Sequence, residues 1–472
     1  MQPSSSSALS GTSSWRTLTY IFVVLVTAGV GVLLAQKFER LEQIPLSVGV
    51  AGIIFVITYT AILSEIIHRT IAAVAGAMAM VLAGHWLGFF SQDDAVRVID
   101  WHTIGLLVAM MVIVAMLQKT GFFEYLAIIT AKRTMGDPWR LMALLGVVIA
   151  VVSTMVANVV CVVMFAPVTV VVCEILGLNP VPMLMAEALL SNIGGLATLV
   201  GDPPNMMIGS VTGLTFNDFL VHLGPPTAVI VVVGLYVIKV VMRKDLAKKP
   251  ENIEGLLKMD ENAAVHDWQG IRKILICMGI VLLLFFLQGK LGLLPSSVAF
   301  LGLAIALLWI QPHPDDILKE VHWSILLFFI ALFVCVGGIE KAGILDIVGE
   351  KFAVYAHGNL MLACVLLFWV SAISSAIVDN IPFTIAMIPI IQHLESQGIN
   401  AMPLWWSLAL GVGLGGNGTI VGATPNIVVV SISERTKYPI TARTWFLAGT
   451  TTTIVTCIVA TAIVVIFFRF FQ

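Results

Sequence analysis

Apolar runs of about 20 residues, long enough for a helix to cross the ~30 Å hydrocarbon core of a bilayer, recur along nearly the whole chain. Backbone in hydrocarbon has no water to bond, so each run must satisfy its own N–H and C=O groups, and a helix does this within one segment. Hydrophobic residues make up 59% of the 472 and charged residues 11%, against roughly 45–50% and about 25% in soluble domains. The expectation is an all-α polytopic membrane protein with little mass outside the bilayer.

Runs of spanning length predict helices near 17–36, 46–64, 69–90 and 102–118, a hairpin across 139–177, a broken helix at 182–212 and a span at 219–242. A second series follows: spans near 271–288, 292–310 and 322–340, a hairpin across 359–394, a broken helix at 403–431 and a last span at 443–468. The Ser-rich segment 1–16 reads as a disordered cytoplasmic tail, 17–45 as an extra N-terminal span, 46–242 and 271–472 as two related units, and the hydrophilic segment 243–270 as a cytoplasmic linker. No cationic region precedes the first run, so a cleaved signal peptide is not expected. With the linker inside, most Lys and Arg fall on the inner side, which places the N-terminus in the cytoplasm of a cell inner (plasma) membrane protein.

The formal charge of -2 and the absence of a basic patch give no reason to expect a nucleic-acid partner. The six cysteines lie inside apolar runs without CxxC spacing, which argues against a disulfide framework or a zinc site. Cys161, close to the first hairpin, reads as packing.

Three separated motifs repeat in nearly constant register. Trp101 and the following QKTG match Trp323 and EKAG at a shift of 222, with Glu124 falling on Asp346. Ser153 to Asn158 and Pro167 match Ser375 to Asn380 and Pro389 at the same shift. SNIGGLATLVGDPPN (191–205) matches GLGGNGTIVGATPN (413–426) at 221, pairing Gly194, Gly195, Thr198, Gly201, Pro204 and Asn205 with Gly415, Gly416, Thr419, Gly422, Pro425 and Asn426. Such register implies duplication of one unit. An odd number of full spans plus one hairpin per unit sets the copies in opposite orientations. Inverted repeats of this kind suit alternating access, because the copies can exchange conformations.

Gly, Pro and Asn inside apolar sequence break helices. Broken backbone at membrane depth is tolerated where it is buried or lines a cavity, and half-helix ends then offer dipoles to a solute. Close helix packing by small residues is the competing explanation. Asn158, Asn205, Asn380 and Asn426 each donate and accept, and Thr198 and Thr419 add hydroxyls, which together suit a small polar solute or a partly hydrated cation. Asp202 and Asp379 interrupt the symmetry, since their repeat partners are Ala423 and Ala157. An ionised Asp at mid-membrane costs ~2.5–3.5 kcal/mol or more, so a purely structural role for two is disfavoured, and such a carboxyl can alternate between protonated and ion-bound or solute-bound forms. Glu187 is a further candidate for proton or ion coupling, with an interfacial carboxylate as the alternative.

SNIGGLATLVGDPPN, SSAIVDNIPFTIAMIPI (374–390) and GGNGTIVGATPN resemble the arsenite permease/NhaD antiporter/P-protein group of the ion transporter superfamily, over residues 46–470. The resemblance implies about eleven spans with two re-entrant hairpins in two inverted repeats, a homodimer, and a transport domain that moves like an elevator. Position by position it places Asn158, Asn380, Asp202, Asn205, Thr419 and Asn426 at the site, with Asp379 on an acidic coupling position. The related dicarboxylate carriers hold carboxylates with Ser-Asn-Thr signatures, whereas Val159 follows Asn158 here and Ile381 follows Asn380. Citrate or succinate is therefore less expected than a small inorganic solute or ion.

The leading expectation is proton-coupled arsenite and antimonite efflux, followed by sodium/proton antiport, then by transport of a carboxylate or other anion. Proton or sodium would serve as coupling ion, with no cofactor. A channel has no need of titratable carboxyls, and the nine histidines show no HExxH or similar spacing for a membrane enzyme. No P-loop is present, so coupling to ATP would need a separate ATPase subunit.

Overall fold

A computed structural model describes residues 45–64, 67–345, 349–350 and 358–472. The expected tail, the extra span but for its last residue, and Asp346 lie outside the described residues. Among the described residues all regular structure is helical, and nine helices are long and apolar enough to cross a membrane. In chain order the principal elements are α1 (Leu46–Ser64), α2 (Arg69–Leu87), α3 (Trp101–Lys119), α4 (Phe122–Arg133), α5 (Pro138–Ser153), α6 (Asn158–Leu176), α7 (Val181–Gly195), α8 (Pro203–Thr212) and α9 (Phe216–Val241). They continue with α10 (Trp268–Leu291), α11 (Pro295–Ile310), α12 (Trp323–Lys341), α13 (Leu360–Val378), α14 (Asn380–Ser396), α15 (Met402–Gly415), α16 (Thr424–Ser433) and α17 (Ala442–Ile466).

The ends fall where local chemistry dictates, and in the same places in both copies. Asp137 caps α5 by accepting from Arg140 N at 2.8 Å, and Asn359, 222 positions on, caps α13 by accepting from Leu362 N at 3.1 Å. Each cap contributes about 1 kcal/mol. The chain turns out of α6 at Gly177 (φ 67°) and past α14 at Gly398 (φ 84°), a left-handed conformation in which a Cβ would be strained.

Among the described residues two compact units emerge, and they cut across the repeat: one takes residues 45–100 and 323–349, the other 101–322 and 350–472. In the first, α12 and α1 both pack on α2. A Cβ on Gly338 would stand 2.2 Å from Met80 Cγ, so the absent side chain lets these helices approach, and Arg69 lies over the Phe328 ring at 5.3 Å. In the second, α5 packs along α7, α13 along α15, and α3 against α10 and α11.

Two features go beyond the sequence reading. Helix α4 was not anticipated, because its 12 residues carry Glu124, Lys132 and Arg133 and are too short to register as a span. The segment between the repeats is also tied down: Glu251 N donates to Leu176 O at 2.9 Å and His266 N to Thr120 O at 2.9 Å, Leu256 is buried, and Lys132 pairs with Glu261. That ammonium holds the Glu261 carboxyl below the usual carboxylate range.

Candidate functional site

The centre lies within the second compact unit, where both helix pairs and both broken segments repeat the same set of contacts. Ser153 Oγ donates to Ser191 O at 2.7 Å, and Ser375 Oγ to Val412 O at 2.6 Å. Thr198 donates its hydroxyl to Thr154 O, and Thr419 donates to Ala376 O at 2.5 Å. A Cβ on Gly194 would sit 2.2 Å from Ala150 O, and one on Gly415 2.2 Å from Ala372 O. Only glycine permits such approach, which explains the paired Gly-Gly steps.

The two motif asparagines clamp their own loops. Asn205 Nδ2 donates to Thr198 O at 2.8 Å, Leu196 O at 3.1 Å and Gly195 O at 3.4 Å. Asn426 Nδ2 donates to Gly416 O at 2.8 Å and Thr419 O at 2.9 Å. Carbonyls left behind where the helix breaks thus regain donors, as buried backbone requires. The hydroxyl protons of both threonines and the amide protons of both asparagines serve the scaffold; what these residues can still offer a solute is oxygen lone pairs.

Asp202, in extended backbone just before α8, is 1% exposed. Its carboxylate accepts from Asn158 Nδ2 at 3.3 Å and from Asn380 Nδ2 at 3.1 and 3.3 Å. Asn158 and Asn380 are the first residues of α6 and α14, so two helix N-termini from opposite copies bring their amides to one carboxyl, where the helix dipoles favour negative charge. Asp379, the residue just before Asn380, is itself buried at 8% exposure. It holds φ 82° and ψ 148°, a combination costly for any residue with a Cβ, whereas its counterpart Ala157 has φ -50°. The buried polar and charged side chains include no Lys or Arg among the described residues.

Sequence reasoning missed Asn192 and Asn417. Asn192 Oδ1 accepts from Asn158 Nδ2 at 2.9 Å, while its Nδ2 donates to Asn417 Oδ1 at 2.8 Å and Asn426 Oδ1 at 3.1 Å. Asn417 Nδ2 donates to Leu189 O at 3.0 Å. Their signal was present as buried-type amides inside the Gly-rich motifs, but the repeat gives them Gly413 and Leu196 as partners and so hid them.

Glu187 stands apart from this network. It is fully buried within the protein; Thr169 Oγ1 donates to its Oε1, and its Oε2 has no partner among the described residues. Cys161 is buried and directs its thiol to Val156 O at 3.6 Å, in keeping with packing. No cluster of three or more His, Cys, Asp or Glu fit to hold a metal occurs among the described residues. Beyond the far end of α8 lies a cleft of about 80 Å³ lined by His102, Ser210, Thr215, Gln288 and Ser296, among others.

The sequence matches the model of a family described as citrate transporter over residues 59–411. The 46 kDa membrane protein of Mycobacterium leprae is 40% identical over 405 residues, covering 83% of this chain and 92% of that protein. An uncharacterized transporter of Mycobacterium tuberculosis is 38% identical over 434 residues, covering 89% and 98%. The P protein of Homo sapiens is 31% identical over 514 residues, covering 92% of this chain and 61% of that longer protein. The crystal structure of the YdaH transporter of Alcanivorax borkumensis shares the fold, with a TM-score of 0.57 at 12% identity over 86% of this chain and 99% of that one.

Proposed function

The chain belongs to the citrate transporter family of the ion transporter superfamily, a family of membrane transporters and not of enzymes, and from that premise we propose that it exports arsenite and antimonite in exchange for protons carried on Asp202. The observation that carries this reading is the sealed carboxyl of Asp202, held by Asn158 and Asn380 from opposite copies, with no buried Lys or Arg among the described residues to balance it. A carboxylate so placed needs a proton, a cation or a hydrogen-bonding solute. Neutral As(OH)3 supplies hydroxyls to donate to the carboxylate and oxygens to accept from the two amides. When a proton binds Asp202 instead, the carboxyl loses acceptor strength and the solute leaves; one proton enters as one neutral solute departs.

The family's description names citrate, but a tricarboxylate would meet no buried Lys or Arg among the described residues. The second reading, sodium/proton antiport, is favoured by a second buried carboxyl, Asp379, on the residue before Asn380, whose amide bonds Asp202, since sodium and protons would then compete for one carboxyl pair. Under either reading the protein works as a homodimer in the plasma membrane, N-terminus in the cytoplasm, by elevator-type movement of the unit that holds the centre. Purified protein in liposomes, given a proton gradient, tests this with arsenite, sodium and citrate followed side by side. Gradient-driven arsenite flux that Asp202→Asn abolishes supports the first reading. Sodium-driven proton movement without arsenite flux replaces it with the second, and citrate flux alone sinks both.

A further inference from the structure

The cleft beyond the far end of α8 is built from the first residues of α3, the connection from α8 into α9, the last turn of α10 and the start of α11. The linker joins the other ends of α9 and α10 and is bonded just past the other end of α3, where His266 N donates to Thr120 O. Since α3, α9 and α10 are all of spanning length, the cleft lies on the membrane face opposite the linker. It is also remote from the centre: α8 begins one residue after Asp202 and runs for 10 residues, about 15 Å at 1.5 Å per residue.

Its interior is polar without being charged. His102, Ser210, Thr215, Gln288 and Ser296 line it together with apolar side chains, and no Asp, Glu, Lys or Arg does so among the described residues. Two of these polar groups are tied to the protein: Thr215 donates its hydroxyl proton to Asp218 at 2.7 Å and accepts from Asp218 N at 3.3 Å, and Ser296 Oγ lies 3.3 Å from His102 Nδ1. Gln288 differs. It is 2% exposed, and its Oε1 has no donor among the described residues. An amide oxygen buried in this way is destabilising until it receives a proton. The repeat does not demand it, because at the shift of 222 the other copy has Ile66 in place of Gln288 and Val74 in place of Ser296.

An uncharged lining selects a neutral ligand, since an ion would shed its hydration and find no opposite charge to replace it. The Gln288 oxygen needs a hydroxyl or N–H proton, while each serine hydroxyl carries two lone pairs and can serve a ligand as well as its protein partner. A volume of about 80 Å³ is room for roughly five waters at the ~15 Å³ that each requires, or for a ligand of about four to six non-hydrogen atoms. The geometry points to a second binding site, separate from the Asp202 centre, in which Gln288 Oε1 accepts a proton from a small neutral hydroxylated molecule, either an inorganic acid such as As(OH)3 or a short polyol. A ligand held there bridges α10 to the end of α8, the helix whose other end adjoins Asp202. The site stands independently of which cargo the centre takes.

Equilibrium dialysis of the full-length Asp202→Asn protein in detergent, with the central carboxyl neutralised, tests this with labelled arsenite and labelled glycerol as separate probes. Saturable binding of one molecule per chain is expected for at least one of them; arsenite alone assigns the inorganic acid, and glycerol alone the polyol. Adding Gln288→Met, which keeps the length of the side chain and removes the acceptor, is expected to weaken that binding about tenfold, the equivalent of one ~1.4 kcal/mol hydrogen bond. Ser210→Leu fills the cleft from α8 with Gln288 intact; it is expected to abolish binding, and it decides the question if Gln288→Met does not fold. Saturable binding of neither probe means that water alone fills the cleft and overturns the inference, as does binding that the cleft variants leave unchanged.

Discussion

The first copy carries its carboxyl on the broken segment, Asp202, and an alanine beside its hairpin tip, Ala157; the second reverses this with Ala423 and Asp379. Around them the scaffold contacts match almost atom for atom, from the serine bonds to 2.7 and 2.6 Å to the 2.2 Å glycine approaches. Yet the carboxyls are not equivalent. Asp202 sits in relaxed extended backbone and gathers amides from both copies, whereas Asp379 occupies a backbone conformation at φ 82° that its alanine counterpart avoids. The two copies agree where backbone packing sets the contact and differ where only chemistry does.

The sharpest way to break this comparison is to move the charge. Asp202→Asn is expected to reduce proton-driven flux in liposomes to background, and Asp202→Ala with Ala423→Asp is expected not to restore it, because the amides of Asn158 and Asn380 converge on the first position alone. Restoration would mean that the copies are interchangeable. The scaffold should behave in the opposite way: Gly194→Ala and Gly415→Ala each force a Cβ onto a carbonyl and should destabilise by about 1–3 kcal/mol, equally within error, in thermal unfolding. A large inequality there would show that the backbone frames also differ.

The spans and the repeat frame were legible because they depend on apolar length and on small residues at close contacts, both written in the local sequence. The four motif asparagines were legible because each recurs in the other copy, and the two aspartates because an ionisable group stands out inside apolar sequence. Asn192 and Asn417 were not, since self-similarity selects positions that agree between copies and these two disagree. The exchange is compensated in space, as is that of Gly146 against Leu190 in one copy for Phe368 against Gly411 in the other, and such compensation appears only once the helices are packed. Helix α4 and the ordering of the linker escaped because neither is apolar enough to be read as a span.

A finer test concerns the hairpin tips. Asp379→Gly should relieve the backbone and stabilise the protein by up to about 1 kcal/mol even as transport falls, while Ala157→Gly, where φ is already ordinary, should cost about 0.5–1 kcal/mol. The smallest effect belongs to the linker. Glu261 titrates below its unfolded value because Lys132 donates to it, so this tie holds above the ordinary carboxylate range and is lost as pH falls through the folded value. Hydrogen exchange of 253–266 should rise in that acidic window, and Lys132→Ala should bring the faster exchange to neutral pH.

The bonds from Asn380 to Asp202 join residues 178 positions apart. A ribosome adding roughly 5–20 residues per second delivers Asn380 on the order of ten to forty seconds after it adds Asp202. Through that interval the first copy holds a carboxyl with half its final set of amides. Insertion of the second hairpin therefore closes the centre late, and a nascent chain stalled before Asn380 should remain open to quality-control proteases that the finished protein excludes.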